Sequence, residues 1–396
     1  MPVSSPSKTA DARLLRRLVL VVGAVVLLDT AFFAVVAPLL PTLSHQFHLS
    51  KLGVGLLEAS YPAGMLIASL PGGLIAVRLG PRRTVVIGLL LLACTTVAFG
   101  FASNAAELDL ARLVEGAAGA CSWAGGITWL VAASPTDRRG ATIGAAVGAA
   151  IFGAMGGPAL GVVASTIGRS ALFSALAAVA LVFALITAAL PEIRRVTAPG
   201  ALRTMTPMFK QPRALSALWL MGLPAIVSGL LAVLGSLRLH QLGASTAEIG
   251  AVFLVAAGLE ATASPLGGRL SDRRGRLAPM RIGLAVVAVM LAWFTLAGTA
   301  LVLAVVMVAV SLGLGSFWAP AMAQLSDVAD QYKIEQGLAA ALMNLAWAAG
   351  QIVGAGAGGA IAKATGNGVP TLAGAGLCLV TLAVVARPRF LRTPSI

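Results

Sequence analysis

Residues 18–41 read LVLVVGAVVLLDTAFFAVVAPLLP, and the only ionisable side chain among them is Asp29. A helix rises 1.5 Å per residue and needs about 20 apolar residues to cross the hydrocarbon core of a bilayer. The stretch is therefore a membrane span. Lys8, Arg13, Arg16 and Arg17 precede it. A secretory signal shows the same order, but its apolar core is only about 7–15 residues long. This run is longer and contains Asp29 and Pro38, so it is the first of a series of spans.

The rest of the chain follows the same pattern. Of 396 residues, 58% are hydrophobic and 11% charged. A soluble domain carries about 25% charged residues, so this chain has too little charge to cover a water-facing surface. The apolar runs place twelve helical spans near 18–41, 53–77, 84–103, 107–131, 140–166, 170–190, 214–238, 247–269, 280–299, 302–325, 336–362 and 368–386. Outer-membrane barrels alternate polar and apolar residues in short strands, whereas these runs are long and continuous. The fold class is all-α integral membrane, with twelve helices in two pseudo-symmetric six-helix bundles.

The net charge of +14 would point to nucleic acid in a soluble protein. Here the basic residues sit in short loops, where they set topology, and no nucleic-acid partner is expected. With the N-terminus inside, 23 of the 28 Lys and Arg residues fall in cytoplasmic loops and tails, against four outside and Arg112 within span 4. The positive-inside rule then places both termini in the cytoplasm of a plasma (inner) membrane. Cys94, Cys121 and Cys378 all lie in apolar runs. Their spacing fits neither a disulfide framework nor a zinc motif, so no metal and no cofactor is expected. The stretch 191–213 holds Pro191, Pro199, Pro207 and Pro212 and five basic residues. It reads as a linker between halves 1–190 and 214–396.

The halves repeat. Residues 72–83 read GGLIAVRLGPRR and residues 267–277 read GGRLSDRRGRL. Gly73, Arg78 and Gly80 match Gly268, Arg273 and Gly275 at one offset of 195 (268 − 73). Repeats of this kind imply a substrate site at the interface between halves.

At these residues the chain resembles the major facilitator superfamily of transporters over essentially its whole length. The loop pattern G-x-x-x-D-R-x-G-R is that superfamily's general signature. Gly268, Asp272, Arg273, Gly275 and Arg276 fit it; the first copy, which also carries Arg82, departs with Val77 in place of the aspartate. The resemblance implies that such an aspartate holds a cytoplasmic gate. Gly148, followed after eight residues by Gly157, Pro158 and then Gly161 in span 5, resembles the antiporter motif of proton-driven exporters. The same residues serve close helix packing, and a proline removes a backbone hydrogen bond. Arg112, Glu115 and Gly116 resemble the R-x-x-Q-G pattern of those exporters, which assigns the arginine to proton coupling. LLDTAFFAVVAPLLP in span 1 and GGAIAKATG at 358–366 resemble the vesicular amine transporters, suggesting a drug/proton antiporter branch. That resemblance makes Asp29 a cation-binding residue. It also sets Asn344 where those transporters hold an aspartate.

Ionisable residues at membrane depth are expensive and mark function by default. Asp29, Glu58, Arg112, Glu115 and Glu260 are the candidates. Low-dielectric surroundings favour the neutral form of a carboxyl. One carboxyl can then take a proton or pair with a cation, but not easily both, which is what exchange requires. Arg112 has Asp109 and Glu115 three residues away on its own face, so a local ion-pair cluster and a coupling role both fit. Glu58 fits a cavity-rim group that snorkels to the interface. Tyr61, Trp123, Trp318 and Trp347 are the candidate cavity aromatics for cation–π or stacking contacts.

The reading is a secondary active transporter, coupled to the proton gradient, exporting a small organic compound as a monomer by alternating access, with protons and membrane lipid as its other partners. Uptake of a sugar or metabolite is the first alternative, which the span 5 pattern opposes. A non-transporting sensor or scaffold is the second, which the intramembrane carboxyls oppose. The chain has no P-loop and is not read as an enzyme.

Overall fold

The computed structural model describes residues 8–135, 138–193, 212–275, 277–331 and 336–386. Their helices follow the twelve apolar runs: α1 (Lys8–Ala34), α2 (Lys51–Leu79), α3 (Pro81–Phe101), α4 (Ala105–Ala133), α5 (Arg139–Ile167), α6 (Arg169–Ala188), α7 (Pro212–Gln241), α8 (Thr246–Arg274), α9 (Leu277–Trp293), α10 (Ala300–Gln331), α11 (Gln336–Ile352) and α12 (Gly368–Val385). Two runs are not simple helices. After Ala34 the first breaks, makes a 3-10 turn at Ala37–Leu39 and resumes at Leu40–Gln46. Pro38 and Pro41 lie in this break, and neither has an N–H to continue an α-helical ladder. After Ile352, α11 passes through a π turn at Val353–Ala357 and continues as Gly358–Thr365.

Among the described residues, eleven helices are long and apolar enough to cross a membrane. The twelfth run is α4. Its length of 29 residues suffices, but its first half carries Glu107, Asp109, Arg112 and Glu115. Arg112 and Glu115 are buried, so this helix shields its charge with protein.

The chain forms two compact units. One holds Met1–Ala34 and Gly64–Pro199, the other Val35–Ala63 and Gly200–Ile396. A boundary at the 191–213 linker puts residues 35–63 with the first half, whereas in the structure they cluster with the second. The break in α1 and glycine packing in α2 account for this. A Cβ at Gly55 would meet the Ala355 carbonyl at 2.5 Å, and Lys51 Nζ donates to Asn367 Oδ1 at 2.6 Å. Ser236 Oγ of α7 donates to the Ala37 carbonyl in the break at 2.9 Å.

The two sets of six helices pair alike. α3 packs on α4 and α6, and α1 on α4 and α5; α9 packs on α10 and α12, and α7 on α10 and α11. The repeat extends to backbone detail. Among the described residues, six have positive φ: His48, Gly80, Gly168, Gly243, Gly275 and Gly366. They form three pairs, His48 with Gly243 and Gly80 with Gly275 at an offset of 195 (243 − 48), and Gly168 with Gly366 at 198 (366 − 168). Helix starts match too. Ser50 Oγ accepts from the Gly53 N–H at 3.3 Å, and Ser245 Oγ accepts from the Glu248 N–H at 3.2 Å. Such side-chain caps satisfy donors that a helix leaves open at its first turn.

The π turn explains the last step in the drift of the offset. In α5, Cβ atoms at Gly153 and Gly157 would meet the Leu27 and Ala31 carbonyls of α1. In α11, Gly350 and Gly354 stand the same way against the Gly222 and Ile226 carbonyls of α7. Those glycines are 197 apart (350 − 153), yet the glycines that close the two helices are 198 apart. The Gly358 N–H reaches the Val353 carbonyl across five residues. A π turn admits one extra residue, which is the difference.

Candidate functional site

Asp29 is fully buried in α1. Trp123 Nε1 of α4 donates to its Oδ2 at 3.1 Å. Beside it, the Thr30 hydroxyl donates to the Val26 carbonyl at 2.8 Å and to the Ala150 carbonyl of α5 at 3.0 Å. Gly153 lets α5 approach this point, because any side chain there would strike Thr30 and the Leu27 carbonyl. α1 is thus held from two sides at the depth of its buried carboxyl.

Arg112 is fully buried and Glu115 nearly so. Arg112 Nη1 lies 3.1 Å from Glu115 Oε2. The same guanidinium donates to the Phe32 carbonyl at 3.2 Å and to the Phe33 carbonyl at 3.3 Å, and stands 5.7 Å from the Phe33 ring centroid. A helix leaves its last carbonyls without internal donors, and α1 ends at Ala34. Arg112 therefore pairs with Glu115, of its two sequence neighbours, and also caps the broken end of α1. The cap was not legible in the sequence, since it depends on the break.

Glu58 and Tyr61 are both buried in the first part of α2. A snorkelling rim position for Glu58 is overturned, because only 2% of the residue is exposed. The backbone contact of Gly55 brings the π turn after α11 close to this part of α2.

In the other unit, Trp318 Nε1 of α10 donates to Glu260 Oε1 of α8 at 2.5 Å. Both residues are half-buried. A Cβ at Gly315 would meet the Glu260 carbonyl at 2.5 Å, so this glycine sets the approach of α10 that brings the indole to the carboxyl. Asn344 and Trp347 are half-buried in α11, three residues apart and so on one face. Gln351, a turn further on, is buried, and its side-chain oxygen lies against Gly229 of α7.

The loop motifs divide by role. Gly80 and Gly275 take φ of 96° and 83°, which favours glycine. Cβ atoms at Gly73 and Gly268 would meet nothing within 4 Å. Arg78 and Arg273 are exposed. Arg82 donates to the Leu190 carbonyl at 2.8 Å and to the Ala188 carbonyl at 3.2 Å, and pairs with Glu192 at 3.4 Å, fastening the end of α6. Arg281, absent from any motif, donates to the Val385 carbonyl at the end of α12 at 2.9 Å. The side chain of Asp272 and residue Arg276 lie outside the described residues. In the span 5 pattern, Gly148 has nothing within 4 Å of a Cβ, Gly157 packs on α1, and Pro158 and Gly161 are buried in an unbroken helix.

Among the described residues, eleven helices long and apolar enough to cross a membrane, set in a twofold-repeated frame, define a multi-pass membrane protein. The sequence model of the Major Facilitator Superfamily matches residues 22–336 and again residues 220–395, and the chain belongs to that superfamily. A 122-residue stretch is 30% identical to the MFS-type transporter ppzB of Metarhizium majus (strain ARSEF 297). That match covers 29% of this chain and 26% of the relative, so the chain spans about a quarter of the relative's length in it. The fold is similar to that of the xylose transporter XylE from E. coli, solved in a partially occluded inward open conformation. The TM-score is 0.73 over 94% of this chain and 97% of that one, at 16% sequence identity.

Proposed function

We propose that the protein exchanges protons for a small organic compound across the plasma membrane, exporting the compound by alternating access, with both termini in the cytoplasm. The observation that carries this reading is the buried Asp29–Trp123 pair. A carboxyl at this depth is costly to keep unless it binds something. The indole donates one hydrogen bond, and a proton or a cationic group on the compound then competes for the same carboxyl. Competition at one group is sufficient for exchange. Arg112 and Glu115 hold the broken end of α1 that follows Asp29, so a rearrangement there is transmitted along α1 to the carboxyl. Glu58, Tyr61, Asn344 and Trp347 are the further residues proposed to meet the compound. The exposed arginines of the two loop motifs face the cytoplasm in this topology. The export direction rests on the resemblance of Gly157-Pro158 and its neighbours to the antiporter pattern.

The test is proton movement in proteoliposomes that enclose a pH-sensitive dye, challenged with a panel of organic cations and neutral sugars. Antiport makes an externally added substrate drive protons out of the lumen. Protons entering with the substrate would make the protein a symporter and overturn the export reading. Proton-silent transport would overturn the coupling.

A further inference from the structure

The carboxyl–indole pairs of the two units share their tryptophans but not their acids. Trp123 and Trp318 are equivalent under the repeat, at the offset of 195 (318 − 123) that also relates the loop motifs. Their acceptors are not equivalent. Asp29 lies on α1, and its counterpart in α7 is Pro224; Glu260 lies on α8, and its counterpart in α2 is Met65. A contact left over from duplication would use matching helices on both sides. Here each indole reaches a carboxyl that its own unit supplies independently, and ends on the same chemistry, an N–H to a carboxyl oxygen at 3.1 Å and 2.5 Å.

We propose that each unit carries one carboxyl–indole site, Asp29–Trp123 and Glu260–Trp318, and that Glu260 binds and releases a second proton in each cycle. Trp318 is the positioning residue that presents Glu260. The inference rests on the proton-coupled reading above and deepens it. The charges on the elements around Glu260 leave the site to the indole. α8 itself carries Glu248 and Arg269 at least two turns away, and Asp272, Arg273 and Arg274 at its end; α10 carries Asp327 and Asp330 near its end. α9 has Arg281, held at the Val385 carbonyl. α7 has Arg213 in its first turn and Arg238 and His240 in its last, and the 3-10 turn Ala37–Leu39 has no charge. Both Glu260 and Trp318 are half-buried.

The experiment is infrared difference spectroscopy of the full-length protein in lipid, stepped between mildly acidic and mildly alkaline buffer, reading the carbonyl band of protonated carboxyls. Glu260→Gln is expected to remove one reversible band that Asp29→Asn leaves in place. Trp318→Phe is expected to displace that band, and Trp123→Phe to leave it unmoved. Trp318→Tyr, which keeps a ring and a donor, is expected to restore part of the displacement and serves if the Phe variant does not fold. A wild-type spectrum in which Glu260→Gln removes no pH-dependent band overturns the proposal, as does a Glu260 band indifferent to Trp318. This readout needs no transported compound. A Glu260 band without proton-coupled transport therefore counts against the coupled reading alone, and coupled transport without the band counts against the second site alone.

Discussion

Trp123 and Trp318 occupy matched positions in the first six and last six helices, yet their N–H groups reach carboxyls on helices that do not match. The frame around them behaves in the opposite way. Glycine contacts between α1 and α5 recur between α7 and α11, and the positive-φ turns and serine caps recur as well. An arginine from the start of α3 or α9 fastens the end of α6 or α12 in both, although Arg82 and Arg281 are not at matched positions. The devices that depend on backbone approach are conserved between the two sets to the residue. The devices built from long polar side chains are reproduced in kind from wherever a suitable residue stands. A frame has one solution at each close contact, because a carbonyl meets a Cβ or does not. A long side chain can reach the same target from more than one helix.

The strongest way to break that comparison is to add bulk at a matched glycine. Gly153→Leu and its match Gly350→Leu each drive a side chain into a carbonyl of the facing helix, and close packing leaves no room to absorb it. Both variants should fail to yield folded protein by size-exclusion and circular dichroism. One that folds with wild-type stability would show that the two interfaces differ. Next comes Arg112→Met, which leaves Glu115 buried without its partner and the Phe32 and Phe33 carbonyls without their donors. Removing one member of a buried pair costs about 3–5 kcal/mol. Arg112→Met combined with Glu115→Leu should recover a large part of that loss in chemical unfolding. A double variant no more stable than the single would place the cost in the helix-end cap instead.

A smaller effect is expected at the fastened helix ends. Arg82→Ala and Arg281→Ala should each lower stability by about 1–2 kcal/mol, the worth of one or two hydrogen bonds. Arg82→Ala should cost more, since it also loses Glu192. The smallest effect tests the turns. Gly243→Ala should destabilise by about 1 kcal/mol, whereas His48→Gly should be neutral or stabilising, because a side chain at positive φ is strained. Gly73→Ala, Gly268→Ala and Gly148→Ala meet open space within helices and should each raise stability by about 0.5–1 kcal/mol.

The frame was largely legible in the sequence. Long apolar runs located most helices to within a few residues, except α1, which starts ten residues before its run (18 − 8) and stops seven before its end (41 − 34); the match of Gly80 with Gly275 announced the repeat that the backbone then extends to His48 and Gly243. The break after Ala34 was less legible, although Pro38 and Pro41 stood in view, since proline does not say whether a helix bends or ends. The site was legible only as a set of charges. Asp29, Arg112, Glu115 and Glu260 announce themselves because ionisable groups are rare at that depth. Their partners do not, because an indole N–H from another helix leaves no mark at the carboxyl's own position. Gly315 and Arg281 carry no charge pattern or motif, and only the approach of α10 to α8 and the end of α12 reveal them. The span 5 pattern was legible but ambiguous. Gly157 packs on α1 as Gly354 packs on α7, so packing alone explains that glycine.

In the proposed function, Asp29 couples transport to protons. Its most direct test is Asp29→Asn in proteoliposomes under an imposed pH gradient, with a compound that the unaltered protein moves. Gradient-driven transport is expected to be lost while helical content and melting temperature stay at their original values, since the amide fills the same volume and can still accept from Trp123. Full gradient-driven transport by that variant would contradict it.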